Sequence, residues 1–310
     1  MTPQGIEIPE YFKTFIESYF GEAGTSWLAE IPRIVSRYAD LWALEIEGPF
    51  DGLTYNYVTG VKLVDGSQAV LKVGVPEKEQ RAEIFALRAF EGRGIVRLFA
   101  SSVDDHVALI ERLSPGTMLS TYFPDRDGEA TAIAAGIMND LAIPAPPDRE
   151  QYSTVEGWFV SGMQHLREAF DGGTGPFPEP LVDRAESLSV DLLASTGDRW
   201  LIHGDLHHMN ILSTDNGRGW LAIDPKGVIG DRAYEAAPFL LNPNTMIHGA
   251  TDLDAILARR IDILSEMLDI DRRRIHGWAL AFSVLSSWWS YSGTGEWRRT
   301  LALGERLASM

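Results

Sequence analysis

The sequence predicts an α+β fold in two parts, a smaller β-rich region followed by a larger, mostly helical one. Strand-like apolar runs at 42–46, 68–73 and 107–113 are confined to the first part. Pro115-Gly116 then breaks the last of these runs. Beyond it, apolar residues recur at helical spacing near 127–141, 154–170, 179–195, 252–268, 271–291 and 296–308. Domains of 1–113 and 114–310 are therefore expected. Residues 11–20 and 26–41 also read as helices, the second opened by Thr25 or Ser26 as N-cap, and they lead into the sheet. Two breaker-rich loops, Ile143 to Asp148 and Asp171 to Pro178, separate helices of the second part.

Composition limits the function classes. A chain of 310 residues, 45% hydrophobic and 23% charged, has ordinary globular usage and room for a substantial core. The formal charge of −17 makes nucleic acid a poor partner and suits a cationic ligand, although acidity serves solubility equally well. No cysteine is present, which excludes disulfides and fits a cytoplasmic enzyme. Acids at Glu7 and Glu10, with no apolar run behind them, argue against a signal peptide. Gly277 to Gly295 is free of Asp, Glu, Lys and Arg, but its five serines and three glycines suit a core helix better than a membrane span.

Chemistry concentrates in His203-Gly204-Asp205-Leu206-His207-His208-Met209-Asn210 and in Ile223-Asp224-Pro225-Lys226-Gly227. Phosphoryl transfer needs a carboxylate to orient the acceptor hydroxyl and receive its proton, together with groups that hold a divalent metal on the phosphates. Asp205 stands five residues before Asn210, the interval of the pattern H-R-D-x-x-x-x-N, with Gly204 in place of the Arg. Asp224 follows a strand-like stretch, as the metal-holding Asp of D-F-G does, with Pro225 in place of the Phe. The three histidines also admit a zinc reading. The order H-E-x-x-H is absent, however, and no cysteine completes a structural site.

The other half of such a site is legible upstream. Gln68-Ala69-Val70-Leu71-Lys72-Val73 resembles the V-A-I-K strand that presents a Lys to the α- and β-phosphates. Eleven residues on, Glu83 lies in a helical pattern with Ile84, Leu87 and Phe90 and is the expected partner of Lys72, with Glu79 in reserve. Gly48 to Val58 occupies the place of a phosphate-covering loop, in which backbone N–H groups from Gly52 to Thr54 would meet phosphate oxygens. Val107 to Gly116 reads as a strand ending in a hinge, where the backbone of Glu111 to Leu113 would face adenine.

Taken in order, these blocks, with Gly94-Ile95-Val96-Arg97-Leu98 and the stretch from Asp224 to Pro238, resemble the aminoglycoside phosphotransferase family, in particular its streptomycin kinase and hydroxyurea phosphotransferase branch. The resemblance implies a bilobal, protein-kinase-like fold with ATP and Mg²⁺ as cofactors. It assigns Lys72 and Glu83 to the nucleotide, Asn210 and Asp224 to the metal, and Asp205 to catalysis. That branch commonly carries Asp where Glu235 stands, which leaves open whether Glu235 makes the same contacts. The acceptor is expected to be a cationic small molecule bearing a hydroxyl, met by Asp231, Glu235 and Trp288. Further acids at Asp125 and Asp127, and the rings of Trp289 and Trp297, are also available. Hydroxyurea, amino sugars or another metabolite are alternative acceptors. A non-catalytic nucleotide-binding protein and a histidine-based metallohydrolase are the other classes. Oligomeric state is not readable from the sequence.

Overall fold

The computed structural model describes residues 6–293 and 297–310. Two compact units emerge, one reaching Gly92 and resuming at Val96–Leu113, the other formed by Arg93–Ile95 and Ser114–Met310.

The first unit opens with α1 (Glu10–Trp42), a helical segment interrupted at Gly21, whose φ of 57° and ψ of −136° lie outside the helical region. The first helical segment thus ends where expected, after residue 20, on a backbone accessible to glycine at little steric cost. The second segment starts before the expected cap at Thr25 or Ser26, and Thr25 returns its hydroxyl to Gly21 O at 3.3 Å inside it. Ala43, in the left-handed region at φ 52°, ends the helix, so the first strand starts later than expected. It is β1 (Glu45–Pro49), followed by β2 (Asn56–Lys62), β3 (Gln68–Gly74), α2 (Lys78–Phe90), β4 (Leu98–Ser102) and β5 (Val107–Glu111). The strands form one antiparallel sheet in the order β1-β2-β3-β5-β4, with Lys72 of β3 opposite Val58 and Ala108. Phe12, Ile16, Ile31 and Val35 of α1 share a core with Tyr57, Val61, Leu71 and Val73 of the sheet. Burying those apolar faces is what holds α1 on the sheet.

The second unit contains β6 (Pro115–Met118), α3 (Asp127–Leu141), β7 (Ile143–Pro144), β8 (Ser153–Thr154), α4 (Val155–Ala169), α5 (Glu179–Ala194) and β9 (Trp200–Ile202). It continues with β10 (Ile211–Thr214), β11 (Gly219–Ala222), β12 (Val228–Gly230), α6 (Ala236–Leu240), α7 (Asn244–Ile247), α8 (Leu253–Leu268), α9 (Arg272–Ser292) and α10 (Arg298–Ser309). Its small sheets run β11-β10-β6 and β7-β9-β12-β8. The charge-free stretch becomes α9, whose Trp278, Leu280 and Val284 are fully buried, while Thr294, Gly295 and Glu296 lie outside the described residues. Among the described residues no helix is long and apolar enough to cross a membrane.

One buried ion pair ties distant parts of this unit together. Arg260 of α8, whose side chain is fully buried, donates to Asp127 Oδ1 from Nε at 3.0 Å and from Nη2 at 2.6 Å, while Arg259 reaches Oδ2 at 3.0 Å. Its Nη1 donates to Asn242 O at 2.6 Å. Asp127 is therefore a structural anchor at the start of α3, not the solvent-facing acid proposed for the acceptor. Truncating one member of such a pair strands a charge in the interior. Asp127→Ala should lower unfolding free energy in urea by about 3–5 kcal/mol, whereas the same change at exposed Asp262, paired with Arg272, should cost at most about 1 kcal/mol.

Candidate active site

The segment 203–210 links β9 to β10 and is fixed mainly by its own backbone. His203 is completely buried. Its Nε2 lies 2.8 Å from Ile223 O, and its Nδ1 accepts from Asp205 N–H at 3.2 Å. These two bonds assign a neutral ring protonated on Nε2, since Nδ1 can accept only when it carries no proton. Burial pushes the ring pKa down to about 4, although the bond to Ile223 opposes the shift. Two further N–H groups, from Lys226 and Gly227, donate to His203 O at 2.8 and 3.2 Å, and Ile223 N–H donates to Asn210 O at 2.9 Å. The loops carrying Asp205 and Asp224 are thereby joined.

Gly204 explains why no Arg follows the histidine. Its φ is 84°, and a Cβ there would come within 2.5 Å of Val228 Cγ2 and 3.4 Å of Trp158 Cη2. Its N–H donates to both carboxylate oxygens of Glu235, at 3.2 and 3.3 Å. Asp205 itself keeps its side chain about a third exposed, with Oδ1 3.8 Å from His207 Nε2. Asn210 donates from Nδ2 to Asp205 O at 3.0 Å, which turns its amide oxygen into the group available for a metal. Asp224 is exposed and holds a left-handed backbone at φ 58°, an uncommon state for a residue with a Cβ and one that concentrates at functional sites. A carboxamide and a carboxylate oxygen are donors of the hard type that Mg²⁺ takes.

The histidines do not gather around a common point. His208 is buried and stacks on Phe239 with ring centroids 4.0 Å apart, and its Nε2 meets Arg260 Nη2 at 3.4 Å. A metal ligand beside a guanidinium would be electrostatically disfavoured. Among the described residues no group of three or more His, Cys, Asp or Glu is placed to hold a metal ion.

In the first unit Lys72 Nζ lies 2.7 Å from Glu83 Oε1, and both side chains are nearly buried. Glu83 is thus a partner of Lys72, as the sequence suggested. Leu53 is buried and its N–H donates to Tyr11 Oη at 3.1 Å, which anchors the loop between β1 and β2 and leaves Gly52 and Thr54 exposed on either side. Glu111 N–H donates to Arg97 O at 2.9 Å and its carboxylate accepts from Arg97 N–H at 3.0 Å. Leu113 ends the unit.

The three residues expected to meet the acceptor are all interior. Asp231 Oδ2 accepts from Trp278 Nε1 at 2.6 Å and from Arg274 Nε at 2.7 Å, while Oδ1 caps Ala233 N–H at 2.9 Å. Glu235 is buried under Gly204. Trp288 is buried against Phe170, Phe177 and Tyr291. These side chains support the site from behind. Sequence reasoning missed Trp158 beside Gly204, as well as Tyr234, which is fully buried with a hydroxyl that finds no partner among the described residues. Burial raises the Tyr234 pKa well above its ordinary value, helped by the charges of Asp205 and Glu235.

Comparison with known proteins gives the class, a small-molecule phosphotransferase of protein-kinase-like fold. The chain belongs to the aminoglycoside/hydroxyurea antibiotic resistance kinase family, which matches residues 42–293. It is 32% identical over 285 residues to a streptomycin 6-kinase of Streptomyces griseus, covering 92% of this chain and 91% of that protein. It is also 32% identical over 287 residues to a hydroxyurea phosphotransferase of Kitasatospora aureofaciens, covering 92% and 80%. An ethanolamine kinase structure from Plasmodium vivax superimposes with a TM-score of 0.62 at 14% identity, covering 97% of this chain and 91% of that one, and so shares the fold.

Burial pushes the Glu235 carboxyl up to about 7, although backbone N–H groups, Gly204 first among them, oppose the shift. A folded-state pKa above the ordinary 4.5 favours the protonated form in the fold. Its stabilising contribution is complete below about pH 4.5 and is lost as pH rises to about 7. Urea unfolding from pH 5 to 8 should therefore show the wild type losing stability relative to Glu235→Gln as pH rises. A constant difference would mean that Glu235 does not titrate in this window.

Proposed function

We propose that the chain transfers the γ-phosphoryl group of ATP, with Mg²⁺, to a hydroxyl of a cationic small molecule, an aminoglycoside of the streptomycin type. The observation that carries this reading is the state of Asp205. Around it His203, Gly204 and Asn210 are immobilised by named hydrogen bonds, while its carboxylate alone stays partly exposed. Such a group is preorganised to accept from a substrate hydroxyl. Similarity to a streptomycin 6-kinase, together with the net charge of −17, supports the acceptor class.

Each residue then has a defined task. Lys72, steadied by Glu83, contacts the α- and β-phosphates, and exposed backbone at Gly52 and Thr54 lies against phosphate oxygens. Asn210 and Asp224 would hold Mg²⁺, which would neutralise charge on the phosphates. Asp205 orients the acceptor O–H. As the new O–P bond forms and the bond from phosphorus to the ADP oxygen breaks, the hydroxyl proton passes to the Asp205 carboxylate. The transition state is loose, so this proton moves late.

ADP release measured with streptomycin, amino sugars and hydroxyurea as acceptors tests the assignment. Streptomycin should stimulate release most strongly. Stimulation by hydroxyurea alone would move the acceptor class, and none with any of them would remove the phosphotransferase reading. Asp205→Asn should lower kcat by roughly 10²–10⁴ with ATP affinity retained, and near-normal turnover in that variant would sink the role of Asp205. Lys72→Met should act differently, raising the KM for ATP at least about tenfold, because it removes a phosphate contact made in the ground state as well as in the transition state.

A further inference from the structure

The side chain pressed against the catalytic loop at Gly204 is Trp158 of α4, which is half-buried. Its ring meets that of Trp289 on α9 edge to face, with centroids 5.6 Å apart and planes at 86°. Trp289 is 38% exposed, more than any other described tryptophan on α9. Their meeting is set by a close helix approach. A Cβ on Gly162 would stand 2.2 Å from Leu285 Cδ1, so any larger residue would displace that side chain, and Trp289 Nε1 lies 3.7 Å from the same position. Gly162 lies one turn after Trp158 and Leu285 one turn before Trp289, which places the two indoles on the same side of the crossing. Phe282 and Tyr234 back them, at 6.2 Å from Trp289 and Trp158 respectively.

This aromatic pair reaches solvent beside the loop residue preceding Asp205. Its quadrupole favours a cation or the apolar face of a sugar ring laid against it. The charge of −17 complements such a ligand. We propose that Trp158 and Trp289 form the acceptor-binding wall of this site and select a ring-bearing cation over a small neutral acceptor. This rests on the phosphotransferase reading for the identity of the acceptor, but its test does not depend on turnover. A ring-sized aminocyclitol bearing guanidinium or ammonium groups can cover the exposed indole face, whereas a molecule of hydroxyurea's size cannot both cover it and offer its hydroxyl to Asp205.

Calorimetric titration of streptomycin into wild type, Trp289→Ala and Trp289→Phe decides the matter, with urea unfolding run alongside to exclude loss of fold. Trp289→Ala should bind about tenfold more weakly and Trp289→Phe within about threefold of wild type, while the KM for ATP stays within twofold. Equal affinity of wild type and Trp289→Ala, or no streptomycin binding to wild type, overturns the wall. ADP release separates this from the function itself. Turnover with streptomycin that is indifferent to Trp289 removes the wall and keeps the kinase. Binding that weakens in Trp289→Ala without any acceptor-dependent ADP release keeps the wall and removes the kinase.

Discussion

The site depends on a neutral, buried histidine. His203 spends one ring nitrogen on Ile223 O and the other on Asp205 N–H, and its own carbonyl receives Lys226 and Gly227. Four contacts from one residue set the relation between the loop of Asp205 and that of Asp224. A charged imidazole could not serve, because Nδ1–H would then face the Asp205 N–H. Burial maintains the neutral form across the physiological range by disfavouring the cation.

The rest of the second unit supports this arrangement from below. Glu235 receives Gly204, and Asp231, four residues earlier, is locked by Trp278 and Arg274 of α9. On the other flank His208 stacks on Phe239 and meets Arg260, which is held in turn by Asp127. The polar interior is thus continuous with the catalytic loop on both sides. Chains of buried hydrogen bonds rigidify what they touch, which is what a preorganised acceptor site requires.

How much of this was legible in the sequence follows from distance along the chain. Asp205, Asn210 and Asp224 lie within twenty residues, and the pairing of Lys72 with Glu83 follows from strand and helix periods, so local pattern exposed them. The burial of Asp231, Glu235 and Trp288 was not legible, because a carboxylate or indole looks the same in sequence whether it faces solvent or an arginine. The Asp127–Arg260 pair spans 133 residues, and no local signal links its members. The choice between Trp288 and Trp289 turns on the contact of Gly162 with Leu285, which is tertiary. The second segment of α1 starts at once after Gly21, ahead of the cap residues Thr25 and Ser26, since backbone freedom outweighed capping propensity there.

The claim that a neutral His203 joins the two loops is open to direct observation by ¹⁵N–¹H NMR of the histidine rings between pH 5 and 8. The account predicts that the His203 ring, assigned by its loss in His203→Gln, stays neutral throughout as the Nε2–H tautomer with a hydrogen-bonded, slowly exchanging proton. Titration of that ring near pH 6.5 or a predominant Nδ1–H tautomer would contradict it.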